Sequence, residues 1–171
     1  MAQAASLIQL GMDLGCEPRK AQTDAVSPVS SHWDAYQAPA NDERKDYFIE
    51  RNGKVFAGTH LIIDLWDAER LDDLEHVERT LLEAIEAAKA TLLHIHLHHF
   101  TPNGGISGVA VLAESHISIH TWPERGYAAL DVFMCGHAEP QRAIPVLQRA
   151  FSPSRTDVNE ILRGEVNEAD S

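Results

Sequence analysis

From Lys54 onward the chain alternates between regular hydrophobic patterns and short polar breaks, and the period of each pattern assigns an element. Gly58 to Trp66, GTHLIIDLW, is an apolar run of strand length rich in β-formers and predicts a central strand. Leu71, Leu74, Val77, Leu81, Leu82 and Ile85 then recur at three- and four-residue steps among acids, the spacing of one buried helical face, which predicts a helix over 70–90. In Thr91 to Phe100, TLLHIHLHHF, the residues Leu93, Ile95 and Leu97 alternate with His94, His96 and His98. The period is two, so this is a strand with two unlike faces.

Thr101-Pro102-Asn103-Gly104-Gly105 reads as a turn, ISGVAVLAE as the next strand, and SHISIH as another, with Ile117 and Ile119 sharing a face. Trp122-Pro123-Glu124-Arg125-Gly126 breaks the pattern before a strand over Tyr127 to Cys135. Pro140 to Phe151 is a short amphipathic helix closed by Ser152-Pro153, and an edge strand follows near Asp157 to Leu162. This order, a strand, a helix, four strands, a second helix and a last edge strand, predicts an α+β fold, a two-layer sandwich of an antiparallel sheet with two helices on one face.

Residues 1–47 hold no sustained period and end in the polar QAPANDERKD, which reads as a mobile N-terminal extension, with Trp33 and Tyr36 as aromatics able to dock. One domain over 48–171 is what a chain of 171 residues allows. No apolar run approaches the roughly 18 residues of a membrane span, and the N-terminus lacks the positive segment of a signal peptide. The expected location is therefore the cytoplasm. Cys16 and Cys135 are too few and too unlike in context for a secreted disulfide scaffold.

Acids outnumber bases 26 to 14 with no Lys/Arg cluster, which disfavours binding to nucleic acid and leaves a cationic small substrate compatible with the overall field.

Three features carry candidate chemistry. His96 and His98, two apart on a strand, have a spacing that zinc accepts, but no third ligand stands out, and a polar or interface face is the simpler assignment, so no metal is expected. Ser107, Ser115, Ser118, His116 and His120 place hydroxyls and imidazoles along adjacent strands where packing alone would place apolar residues. Cys135, at the end of an apolar strand, is either a small buried residue or a site thiol.

The stretch GGISGVAVLAESHISIHTWPERGYAALDVFMCG resembles the core of the prokaryotic S-adenosylmethionine decarboxylase proenzyme family, and the likeness extends more loosely from Gly58 to about Leu162. The resemblance implies self-cleavage between Glu114 and Ser115 into a β chain, 1–114, and an α chain, 115–171, with Ser115 becoming a covalent pyruvoyl cofactor. It implies Ser107 as the donor to the tetrahedral oxyanion of self-cleavage, His120 as the base that takes the Cα proton of Ser115 after ester formation, and Cys135 as the proton donor in decarboxylation. It also implies contacts to S-adenosylmethionine from Glu124, Phe100 and Trp122. The PNGGISG turn holds one residue more than in the shortest members, which aligns Phe100 rather than Thr101 with the substrate-side aromatic. The implied assembly is a homo-oligomer, a dimer of processed protomers, and the implied product serves spermidine synthesis. Pyruvoyl-dependent decarboxylation of arginine or ornithine on the same fold is the alternative, and an unprocessed binding protein is a third reading.

Overall fold

The computed structural model describes residues 47–166. Within them the chain runs β1 (Ile49–Arg51), β2 (Lys54–Phe56), β3 (Gly58–Trp66), α1 (Leu74–Ala87), β4 (Leu92–His99), β5 (Ile106–Leu112), β6 (Ser115–Trp122), β7 (Tyr127–Met134), α2 (Ala143–Phe151) and β8 (Arg155–Arg163). Strands β3 to β8 form one sheet in the order β4-β5-β6-β7-β3-β8, with every neighbouring pair antiparallel. This is the α+β sandwich that the hydrophobic periods predict, with β3 interior and β8 at an edge.

The period-two alternation sorts the sheet into two faces. Leu61, Ile63 and Leu65 of β3, Ile117 and Ile119 of β6, and Leu130, Val132 and Met134 of β7 are buried in one core with Val77, Leu81 and Ile85 of α1 and Leu147 and Phe151 of α2. Each fully buried aliphatic side chain of this kind contributes roughly 1.5–3 kcal/mol. The intervening residues, including His60 and Asp64 of β3, Ser118 and His120 of β6, and Tyr127 and Asp131 of β7, fall on the opposite face. His96 and His98 pair in register with Val109 and Ser107 on that same face, away from the helices.

Gly108 sits where β4 and β5 approach so closely that a Cβ would lie 2.3 Å from the carbonyl oxygen of His96. No other residue fits there without moving backbone.

Helix α1 is shorter than the predicted 70–90. Asp73 caps it, accepting a hydrogen bond from the His76 N–H at 3.0 Å, while Arg70 bonds the same carboxylate and holds its pKa below the usual range. Leu74 and Leu82 face outward, 36% and 40% exposed. Successive residues turn by about 100°, so Leu81 and Leu82 cannot both meet the sheet. The buried stripe is completed instead by Thr80 and by His76, whose Nε2 lies 2.9 Å from the Ala150 carbonyl of α2.

The hairpin β1–β2 falls outside the predicted elements. Its turn is Asn52-Gly53, both at positive φ (54° and 75°), the backbone that a two-residue hairpin demands. Phe56 at its end is fully buried. The extension assigned to 1–47 lies, apart from Tyr47, outside the described residues, as do Trp33, Tyr36 and Cys16. No helix among the described residues is long and apolar enough to cross a membrane.

Candidate active site

The Glu114-Ser115 peptide lies at a tight turn. Strand β5 ends at Leu112, two residues earlier than the predicted ISGVAVLAE, and Ala113-Glu114 carries the chain into β6 at Ser115. Glu114 is held from three directions. Its carboxylate accepts the Thr91 N–H at 2.8 Å and the Thr91 hydroxyl at 3.1 Å, and its carbonyl oxygen accepts the Cys135 N–H at 3.0 Å. The Ala113 N–H donates in turn to the Thr91 carbonyl at 3.0 Å, closing the turn against the start of β4.

Ser115 takes φ 148°, a value that side-chain-bearing residues avoid and that costs of order 1–3 kcal/mol. The strain stands at the peptide bond that the resemblance marks for cleavage. Its Oγ lies 3.1 Å from Nδ1 of His116. Cys135, just past the end of β7, is half-buried. Burial first and the nearby Glu114 carboxylate second push its thiol pKa up, so the sulfur keeps its proton.

A second group gathers at the far end of β5 and β6. Ser107 and His120 are cross-strand partners, and Ser107 Oγ lies 2.9 Å from His120 Nδ1. With Phe100, Asn103, Gly105, Thr121, Trp122 and Glu124 they line a cavity of about 180 Å³. Its walls are anchored by the sequence around it. Thr121 Oγ1 accepts the Ile106 N–H at 2.8 Å and donates to the Leu71 carbonyl at 2.8 Å, and the Phe100 N–H donates to Gly105 O at 2.8 Å. Trp122 stacks on Tyr127 at 5.3 Å between centroids, and Phe100 meets His98 edge-on at 4.5 Å. Both Phe100 and Trp122 remain nearly half exposed.

The predicted site residues thus fall into two clusters. Ser115, Glu114 and Cys135 stand together, as do Ser107, His120, Glu124, Phe100 and Trp122, but Ser115 and His120 are separated by five strand residues, about 16 Å. The cavity is also smaller than the roughly 300–1,000 Å³ of a typical ligand pocket. Among the described residues no group of three or more His, Cys, Asp and Glu is placed to hold a metal. Sequence reading did not single out Thr91, because its partner is an ordinary glutamate 23 residues on.

The fold thus holds a strained serine at a strand turn with the half-buried Cys135 close by, and an aromatic-lined polar pocket at the far end of the same strand, an arrangement suited to an enzyme. The family model for S-adenosylmethionine decarboxylase matches residues 59–164. The chain is 48% identical over 108 residues to an S-adenosylmethionine decarboxylase proenzyme of Thermomicrobium roseum, a match covering 63% of this chain and 93% of that one. It is 51% identical over 110 residues to a proenzyme of the same name from Methanococcus maripaludis, covering 63% and 89%. The crystal structure of the adenosylmethionine decarboxylase from Aquifex aeolicus superposes with a TM-score of 0.61 at 37% identity, covering 66% of this chain and 95% of that one. The chain belongs to the S-adenosylmethionine decarboxylase family.

Proposed function

We propose that this chain is a self-processing proenzyme that, once cleaved between Glu114 and Ser115, decarboxylates S-adenosylmethionine to CO2 and S-adenosylmethioninamine, an aminopropyl donor for spermidine synthesis in the cytoplasm. The observation that carries the reading is the strained Ser115 backbone with its preceding carbonyl already hydrogen-bonded to the Cys135 N–H.

Attack of Ser115 Oγ on the Glu114 carbonyl carbon closes a five-membered ring within neighbouring residues, so little entropy is lost. The oxygen that gains charge already accepts the Cys135 amide, the arrangement of an oxyanion hole. Collapse breaks the C–N bond and leaves an ester with a free Ser115 amine. Removal of the Ser115 Cα proton then expels the Glu114 carboxylate, and hydrolysis of the resulting imine with loss of ammonia leaves a pyruvoyl end on the α chain, 115–171. The residues around Ser115 fit that group. It is smaller than serine, and it would be held between the half-buried Cys135 and the His116 ring.

The pyruvoyl ketone supplies the electrophile that binds a substrate amine and takes up the electron pair released with CO2. Cys135 Sγ, kept protonated by burial and by Glu114, delivers its proton to the substrate α-carbon. Glu124 accepts from the ribose hydroxyls, while Phe100 and Trp122 cover the adenine and offer π-faces to the sulfonium.

His120 is the base for the Ser115 Cα proton, and Ser107 is a further donor to the oxyanion formed at the Glu114 carbonyl. Because both stand about 16 Å along the strand from Ser115 in their own chain, they act on the Ser115 of a second copy, and the working unit is a homodimer with composite sites. The same pairing encloses the small pocket on its open side.

The test is intact mass together with activity. Purified protein is expected as two fragments of about 12–13 and 6–7 kDa, the smaller one blocked by pyruvoyl, and Ser115→Ala stays whole. S-adenosylmethionine, arginine and ornithine are then compared. A fragment beginning with an ordinary serine amine sinks the pyruvoyl reading, and turnover of arginine or ornithine alone transfers the site to the alternative substrates.

A further inference from the structure

Side chains of consecutive strand residues point to opposite faces of a sheet, so the serine and histidine at the start of β6 have no reason to meet. Here they do. Ser115 Oγ lies 3.1 Å from His116 Nδ1, and what brings them together is the departure of Ser115 from strand geometry to φ 148°. The strain at this peptide is therefore spent on one contact, between the nucleophile and an imidazole of its own chain.

The His116 ring is held where a base must be. It is half-buried, pairs in register with Val111 on one side and Phe133 on the other, and meets the Phe133 ring edge-on at 6.0 Å. With the ring proton on Nε2, Nδ1 is an acceptor aimed at the serine hydroxyl. His120, four residues further along the strand, is bonded to Ser107 instead.

We infer that His116 is the general base of the first processing step, distinct from His120, and that the proenzyme uses two imidazoles for two proton transfers. This rests on the self-cleavage reading above. Nδ1 of His116 takes the Ser115 Oγ proton as the Oγ–C bond to Glu114 forms. When the tetrahedral centre collapses and the Glu114 C–N bond breaks, the same proton passes to the departing Ser115 nitrogen. The net change is amide to ester and free amine, with His116 returned to its starting state. No oxidant or external group is consumed. The nucleophile and the base of ester formation belong to one chain, whereas the elimination waits for His120.

The experiment follows the full-length precursor by intact mass after synthesis, with and without hydroxylamine, which cleaves an ester but not an amide. His116→Ala and His116→Gln are expected to remain whole, forming ester about 10²- to 10⁴-fold more slowly than the unmodified chain. Hydroxylamine should not accelerate their cleavage. His120→Ala, in contrast, should accumulate hydroxylamine-sensitive ester. Added imidazole should restore cleavage to His116→Ala, whose missing ring leaves room for it, and should leave His116→Gln slow. Either variant forming ester at the unmodified rate overturns the proposal. So does slow cleavage in a His116→Ala protein that melts at the unmodified temperature and does not respond to imidazole, because His116 would then be a structural contact. Absence of ester in the unmodified chain and in His120→Ala alike would instead strike the self-cleavage reading itself.

Discussion

His120 and Ser115 lie on one strand yet face different clusters, His120 bonded to Ser107 at 2.9 Å and Ser115 to His116 at 3.1 Å. No side-chain rotation spans the roughly 16 Å of extended chain between them. If one acts on the other, it does so between copies. In a dimer of Ser115→Ala with His120→Ala, one of the two composite sites combines the intact Ser115 of one chain with the intact His120 of the other. Refolding the two variants together is expected to process the His120→Ala chain to completion while each variant alone does not. Mass spectrometry of chains with distinguishable tags reads the result, and a mixture that behaves as the sum of its parts removes the composite site.

On the proposed reading, Cys135 offers its backbone to processing and its sulfur to turnover. Because the amide that bonds Glu114 survives substitution of the side chain, Cys135→Ala should still cleave. Decarboxylation should fall by about 10²- to 10⁴-fold, the usual loss when a general acid is removed. The remaining turnover should misplace the proton onto the pyruvoyl carbon, converting the chain end to alanine and inactivating the enzyme. Rates and the mass of the α chain are measured together. Unchanged turnover without alanine would return Cys135 to the core.

Most of the architecture was legible because burial follows period. The alternation in TLLHIHLHHF and the three- and four-step spacing after Leu71 each pointed to the correct element. What the pattern could not assign was decided by geometry between distant residues. Leu81 and Leu82 look equivalent in sequence but differ by 100° on the helix, so only one is buried. Asn52-Gly53 did carry a hairpin signal, but β1 and β2 are three residues each, too short to establish a period. Within the site, residue identities could be matched to a family motif, whereas the division into two clusters could not. A strand register and a rise of about 3.3 Å per residue are needed to see that Ser115 and His120 do not meet. The contact between Ser115 and His116 was hidden for the opposite reason, since ideal strand geometry forbids it.

Tyr127, on the open face of the sheet, donates to Asp64 Oδ1 at 2.6 Å. That hydrogen bond first, then burial and the Asp64 charge, push the phenol pKa up to about 12. The folded pKa is raised, so the stabilisation from this pair is fully present below the unfolded value near 10 and is lost as pH rises through about 12. Spectroscopic titration of the phenolate, with Tyr127→Phe as the subtraction, should place Tyr127 at the higher value. Asp64→Asn should bring it down. A phenol that titrates near 10 in the unmodified protein refutes the pairing.

On the same proposed reading, Glu114 has a second task that outlasts cleavage. Its carboxylate is the smaller of two causes that raise the Cys135 pKa, burial being the larger. A raised thiol pKa means that the proton donor is present across the neutral range and that activity dependent on it is lost only as pH climbs past the raised value. After the proposed cleavage, Glu114 would become the C-terminus of the β chain and add an α-carboxylate beside the same sulfur, acting in the same direction. In the processed enzyme the alkaline limb of kcat is therefore expected above that of an ordinary thiol. Glu114→Gln should shift the limb to lower pH, because the negative charge that favours the neutral thiol is gone. The shift should be partial, since the larger cause, burial, remains. The profile is measured on variant protein that has completed cleavage, with the fraction processed fixed by mass so that slow maturation is not mistaken for slow turnover. A limb that moves to higher pH in Glu114→Gln would contradict the sign of the electrostatic effect, and a limb that persists unchanged in Cys135→Ala would assign it to another group.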